Sequence, residues 1–201
     1  MASSVCLMIQ FDMNDLDKLR ERLDPKKVDK AMNWTLDAVT RKARTMVSRE
    51  VRKTYDIRAA DISAQVQIKR LDNNASRVLL YTGRRIPLER FKPQIKSVSV
   101  MVAHPRTGTR FKRKYQATSL KIRKDRGRRI AKGAFSHGGP VYRRAPGGKG
   151  GYDADQAFRQ FGPSIPGMVR HQTVLDQFQD LIQKDAATTF NNRLEYLLGM
   201  R

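Results

Sequence analysis

Cysteine and histidine are scarce in this chain of 201 residues. The single cysteine, Cys6, excludes an internal disulfide and a paired-cysteine metal motif. The three histidines, His104, His137 and His171, lie in separate segments without the converging ligands that a metal site or a catalytic base requires. We therefore expect no catalytic residues, no metal and no cofactor, and we do not expect an enzyme.

Long apolar runs are also lacking. No stretch approaches the roughly 20 apolar residues that span a bilayer. Residues 1–10 have neither the basic start nor the clean apolar run of a signal peptide. We expect a soluble protein that is made in the cytoplasm of its host cell and has neither a membrane partner nor a small-molecule substrate.

Acidic residues are few: 19 Asp and Glu oppose 41 Lys and Arg, which gives a formal net charge of +22. Most of this charge falls in residues 84–149, called the basic segment below, where 20 basic residues face two acidic ones. Such a charged block repels itself unless a polyanion or an acidic protein surface neutralises it. Nucleic acid is the first candidate partner and an acidic neighbouring subunit is the second.

The residues predicted to face this polyanion lie in short clusters that alternate with aromatic side chains. Lysine and arginine neutralise phosphates, and aromatic rings can stack on unpaired bases. No signature of a zinc finger or another known nucleic-acid reader accompanies them. The predicted set is Arg84, Arg85, Arg110, Lys112, Arg113, Lys114, Arg123, Lys124, Arg126, Arg128, Arg129, Arg143 and Arg144.

Hydrophobic periodicity predicts an α+β fold. Asp24 followed by Pro25 is a strong helix start, and apolar residues recur at helical spacing from there to about residue 55. A second long helix is predicted over residues 168–198, ending at Gly199. Between them, alternating residues predict strands at 66–71, 77–82, 94–103, 119–124 and 133–135.

The predicted architecture is a single domain over residues 1–201, in which an antiparallel sheet packs against the two long helices. Two extended loops are expected to be flexible. One is basic and covers about 104–116, and the other is rich in glycine and covers about 138–151.

Three short patterns follow one another in a suggestive order. They are GRRIPL at 83–88, then SLKI at 119–122 leading to GAF at 133–135, then GPSIP at 162–166. In this order the sequence resembles the phage minor tail protein Z family, the tail-completion proteins of lambda-like siphophages. The resemblance covers roughly residues 15–198 and implies a structural protein of the virion without catalytic residues.

The resemblance implies a minor tail protein at the head-proximal end of a phage tail, where it aids head–tail joining and DNA positioning. The expected partners are further copies of the chain in a hexameric ring, the tail terminator, tail tube or head–tail connector proteins, and the end of the genomic DNA. The glycine-rich loop and a first strand, predicted from the apolar run at residues 5–11, are expected to become ordered only on assembly. The predicted assembly interface is Val5, Leu7, Ile9, Pro163, Ile165 and Pro166.

Two other functions compete with this one. A free basic protein that binds, compacts or chaperones DNA would explain the charge without any virion, and would show steeply salt-dependent binding. A nuclease would need a divalent metal, but Asp153 and Asp155 have no third ligand at a recognisable spacing.

Overall fold

The computed structural model describes residues 3–71, 75–104, 106–131, 133–136, 139–146 and 152–200. Helices and antiparallel sheets are both present, which confirms the predicted α+β class. The chain divides into two compact units where the sequence led us to expect one domain. Unit 1 comprises Met1–Lys53, Arg58–Arg84 and Ser164–Arg201, and unit 2 comprises Thr54–Ile57 and Arg85–Pro163.

Unit 1 contains both long helices and a three-stranded sheet in the order β1-β3-β2. Its elements are β1 (Ser3–Gln10), α1 (Met13–Arg22), α2 (Pro25–Thr54), α3 (Ala59–Ser63), β2 (Val66–Arg70), β3 (Ser76–Gly83), α4 (Ile165–Val169) and α5 (Gln172–Leu198).

The long helix α2 begins as its sequence predicts. The Asp24 carboxylate accepts a hydrogen bond of 2.9 Å from the Lys26 backbone N–H, and Pro25 is the first helical residue. One stripe of the helix is buried over its whole length, from Val28 through Leu36 and Val47 to Val51. Amphipathic spacing therefore fixes both the extent and the orientation of this helix.

The strands predicted at 66–71 and 77–82 are confirmed, and as β2 and β3 they pair antiparallel in a hairpin. Strand β1 pairs antiparallel with the other edge of β3. Along β1 the side chains alternate, so that Val5, Leu7 and Ile9 are buried in the core of unit 1. We predicted these three residues as an assembly interface, but their side chains fill this core. The exposed side chains of the strand are those of Ser4, Cys6, Met8 and Gln10.

The C-terminal helix starts later than predicted. Residues 165–169 form the separate helix α4, and α5 begins only after His171, whose extended backbone caps it. Gly199 ends α5 in the left-handed conformation, with φ of 77°, as its sequence position predicts. Phe190 of α5 packs on Phe11, with ring centroids 5.2 Å apart.

In the described residues of unit 2, the strands form three sheets, in the orders β5-β6-β7, β10-β9-β8 and β11-β4. Its elements are β4 (Arg85–Pro87), a 3₁₀ helix (Leu88–Phe91), β5 (Gln94–Ala103), β6 (Arg110–Leu120), β7 (Arg129–Ile130), β8 (Ala134–Ser136), β9 (Val141–Pro146), β10 (Tyr152–Arg159) and β11 (Phe161–Ser164).

Both loop predictions need correction. Residues 110–116 of the predicted basic loop belong to strand β6, which begins at Arg110 and runs to Leu120. The strand that we predicted at 119–124 therefore lies earlier in the chain, because β6 ends at Leu120. Within the glycine-rich segment 138–151, Val141–Pro146 form β9, and residues 147–151 lie outside the described part of the chain.

A buried arginine joins helix and sheet in unit 1. The fully buried Arg77 of β3 donates from Nε to Asp37 of α2 at 2.8 Å and from Nη2 to Asn33 of α2 at 2.8 Å. The same Asp37 carboxylate accepts a bond of 3.0 Å from Arg70 of β2. One carboxylate on α2 therefore holds both strands of the hairpin.

Replacing Asp37 by alanine should lower the free energy of unfolding by about 3 kcal/mol, because Arg77 is left charged and buried. Arg70→Ala removes an exposed partner of the same carboxylate and should cost less than about 1 kcal/mol. Urea unfolding followed by circular dichroism measures both values. Equal losses in the two variants would contradict the role assigned to the buried pair.

Candidate polyanion-binding surface

The longest strand pair of unit 2, β5 and β6, forms a two-stranded arm. Its register pairs Ala103 with Arg110 at the tip and Gln94 with Ser119 at the base. The His104 N–H donates to the Thr109 carbonyl at 2.9 Å, and Gly108 supplies the left-handed backbone, with φ of 67°, that the turn requires. We call residues 94–103 and 110–116 the arm; every side chain in it is at least partly exposed.

The arm is anchored only at its base. The last four residues of β6, from Ala117 to Leu120, are buried, whereas residues 110–116 are exposed on both faces. At the base, the Ser119 hydroxyl donates to the Gln94 carbonyl at 3.1 Å. Cross-strand backbone pairing therefore holds the arm, without burial of its outer side chains.

One face of the arm is cationic. Arg110, Lys112 and Lys114 alternate along β6 and so project from the same face, at intervals of about 6.8 Å. Their cross-strand neighbours are uncharged: Met101 lies opposite Lys112 and Ser99 lies opposite Lys114. The chain has no acidic residue between positions 94 and 116, so the arm offers these cations no carboxylate of its own.

The opposite face of the arm carries its aromatic and valine side chains, together with two exposed cations, Lys96 near the base and Arg113. Phe111 and Tyr115 of β6 share it with their cross-strand neighbours Val102 and Val98, and with Val100. Phe111 is 44% exposed and Tyr115 is 42% exposed. Arg113, which the sequence placed with the polyanion-facing residues, projects from this face opposite Val100. We predicted residues 104–116 as a loop and therefore missed this face. In a paired strand, successive side chains point to opposite faces of the sheet, whereas a loop predicts no such faces.

Two of the predicted polyanion-facing arginines are bonded within unit 2. Arg123 binds the Asp125 carboxylate through two nitrogens, at 2.9 and 2.7 Å, and lies over the Tyr55 ring. This hydrogen bonding raises the pKa of Arg123 and lowers the pKa of Asp125. Arg128 donates to the carbonyl of Lys92 at 3.1 Å, and Lys92 has a left-handed backbone with φ of 48°. Both arginines therefore support loops of unit 2.

The other predicted residues are exposed, and they are spread over several elements. Arg85 opens β4 and Arg129 lies in β7. Arg143 and Arg144 lie in β9, and Arg144 stacks over the Phe135 ring at 5.4 Å. Lys124 and Arg126 lie between β6 and β7, whereas Arg84 belongs to unit 1. Only Arg110, Lys112 and Lys114 form one regular row.

A cavity of about 440 Å³ lies within unit 2. Apolar side chains, including Leu88, Leu120 and Phe161, line it together with Arg126 and Arg129. Pro163, one of the predicted interface residues, lines the same cavity and is partly exposed. The other two, Ile165 and Pro166, are buried in α4 of unit 1, so their side chains are as inaccessible as those of Val5 and Leu7.

The ion pair between Arg159 and Glu89 is a second fixed charge contact of unit 2. Burial acts to raise the pKa of Glu89, but the hydrogen bond from Arg159, a backbone hydrogen bond and nearby positive charge bring it below its usual range. Arg159 is thus paired with a carboxylate, whereas the arm offers no carboxylate to Arg110, Lys112 and Lys114.

The described residues contain neither a cluster of metal-ligating side chains nor a helix that could span a membrane. Among them, no three His, Cys, Asp or Glu side chains lie close enough to hold a metal ion. The side chains of Asp153 and Asp155 lie outside the described part of the chain. No helix in the described ranges is both long and apolar enough to cross a membrane. Cys6 is exposed on β1.

Replacing Arg110, Lys112 and Lys114 together by glutamine should leave the melting temperature within about 2 °C of the original value, or raise it at low salt, because three repelling charges are removed. The control Arg159→Gln should cost about 1 kcal/mol through the loss of its contact with Glu89. Calorimetry at two salt concentrations measures both. A melting temperature that falls further in the triple variant than in the control would show that the arm cations serve folding.

Comparison with known proteins gives no relative: no protein-family model, curated protein or solved structure matches this chain. What the protein does is therefore inferred from its own residues.

Proposed function

We propose that this protein is a minor tail, or tail-completion, protein of a phage virion, which assembles as a ring at the head-proximal end of the tail. The observation that carries the proposal is the arm of unit 2, which has a row of three cations on one face and Phe111, Tyr115 and three valines on the other. The motif order in the sequence supports the same assignment, since it resembles that of the minor tail protein Z family.

The apolar face of the arm supports an assembly role. Phe111, Tyr115 and Val100 form part of one exposed face on a strand pair that is anchored at its base alone. Contiguous exposed apolar side chains mark protein–protein contact sites when polar residues surround them. In the proposed ring, this face packs on a neighbouring subunit and removes its apolar surface from water.

The cationic face supports a position close to polyanions. Arg110, Lys112 and Lys114 lie in one row without a carboxylate on the arm. At the junction of head and tail, both the genome end and acidic neighbouring subunits would neutralise such a row. Docking through one face leaves the other face free, so the two roles do not compete for the same side chains.

A second candidate, a free DNA-binding protein, is favoured by the shape of the arm. A two-stranded ribbon fits into the major groove of DNA, and cations on its surface would contact phosphates. This function requires no ring, and it predicts tight binding of DNA by a monomer. The two candidates therefore differ in whether the apolar face is covered before DNA binds.

The oligomeric state of the purified protein tests the proposal. We expect a ring-sized oligomer in light scattering coupled to gel filtration, and we expect Val100→Ser with Phe111→Ser to shift it to monomer. The matched control, Lys112→Gln with Lys114→Gln, changes the other face of the same arm and should leave the oligomer intact.

A wild-type protein that stays monomeric at high concentration, yet binds DNA with a steep salt dependence, would favour the free DNA-binding function. An oligomer that persists after both substitutions on the apolar face would contradict the assembly role assigned to the arm.

A further inference from the structure

Four arginines of unit 1 line a second cationic site, outside the basic segment. Arg41, Arg44, Arg49 and Arg52 all belong to α2, and with α3 they enclose a cleft of about 650 Å³. We call this site the arginine cleft. Thr45, Ser48 and Ser63 add hydroxyl groups to its lining, whereas no Asp or Glu takes part in it.

Helical spacing explains why these arginines converge. Positions 41, 44 or 45, 48 or 49, and 52 follow each other at intervals of three or four residues, so they share one face of α2. The opposite face, with Ala43, Val47 and Val51, is buried in the core. Burial of that face therefore fixes the arginines toward solvent, and α3 supplies the other wall of the cleft.

The charge of the cleft is not cancelled from within. Arg41 and Arg44 donate to backbone carbonyl groups, of Asp37 at 3.2 Å and of Ser63 at 3.4 Å, and these contacts leave their positive charge in place. Arg49 and Arg52 have no carboxylate partner in the described part of the chain. Guanidinium groups held this close repel each other unless an anion lies between them.

The nearby carboxylates are already paired with other cations. Glu50 accepts a bond of 2.6 Å from Lys53, and Asp61 lies 3.2 Å from Arg58. Asp37 is held by Arg77 and Arg70. These three carboxylates are thus engaged by cations other than the four arginines of the cleft.

The lining indicates which anion fits. Guanidinium groups bind phosphate through paired hydrogen bonds. The hydroxyl groups of Thr45 and Ser63 already donate to the carbonyl groups of Arg41 and Ala60, at 3.1 Å each, so the arginines are the main donors of the cleft. No aromatic ring lines the cleft, so it has no platform on which a base could stack. Its volume lies in the range of pockets that hold a drug-sized ligand, which leaves room for more than one phosphate.

We propose that the arginine cleft binds consecutive phosphates of a nucleic-acid backbone without reading the bases. This site uses other residues, in another unit, than the arm does, and it does not rest on the proposed tail function. It would position a nucleic acid by its backbone, which is the role that phosphate contacts generally have.

Fluorescence anisotropy with a labelled DNA duplex of mixed sequence tests the inference in the full chain. Arg49→Gln with Arg52→Gln should weaken binding about tenfold and reduce the slope of log K against log salt by about two, the loss of two phosphate contacts. The matched control, Lys26→Gln with Lys30→Gln, removes the same charge from exposed positions of the same helix and should change the affinity less than about threefold. Equal affinities and slopes in the two variants would overturn the proposal.

Further measurements separate the remaining explanations. Arg49→Lys with Arg52→Lys keeps the charge and should recover part of the affinity, and circular dichroism should show all variants folded. Polyglutamate in place of DNA tests an acidic protein ligand: cleft-dependent binding of polyglutamate without cleft-dependent binding of DNA would refute the phosphate assignment. The same pair of substitutions in the Arg110, Lys112 and Lys114 triple variant should still weaken DNA binding, whatever the outcome for the tail function.

Discussion

Positive charge that the chain cannot neutralise by itself is the constraint on which this account depends. The sequence has 41 basic residues and 19 acidic ones, so most cations have no internal carboxylate to pair with. Several carboxylates that exist are used in structural contacts, such as Asp37 with Arg77 and Asp125 with Arg123. The leftover cations must lie where water or a partner can stabilise them.

The fold sorts these cations by their surroundings. On the arm, strand alternation gathers Arg110, Lys112 and Lys114 on one face and most of the valine and aromatic side chains on the other. On α2, burial of one helical face gathers four arginines on the other, beside α3. In both places the cations lie on one side of a secondary-structure element. Strand pairing produces this arrangement on the arm, and burial of the other helical face produces it on α2.

Helices were the part of the fold that the sequence predicted best, because the cap at Asp24 and the stop at Gly199 are local signals and the apolar stripes are long. Strand β6 escaped prediction because its outer half buries nothing and reads as a polar loop. Asp125 was a visible partner two residues from Arg123, yet charge counting treated that arginine as free. We missed the arginine cleft in the sequence because residues 1–83 carry only a small part of the net positive charge, so the helical spacing of their arginines drew no attention.

Cryo-electron microscopy of the purified virion tests the proposed function most directly. The account predicts a symmetric ring of this chain where the tail meets the head, with the apolar face of the arm against a neighbouring subunit and Arg110, Lys112 and Lys114 facing DNA or acidic protein. Absence of the chain from the particle, or an arm whose Phe111 and Tyr115 remain in solvent there, would contradict it.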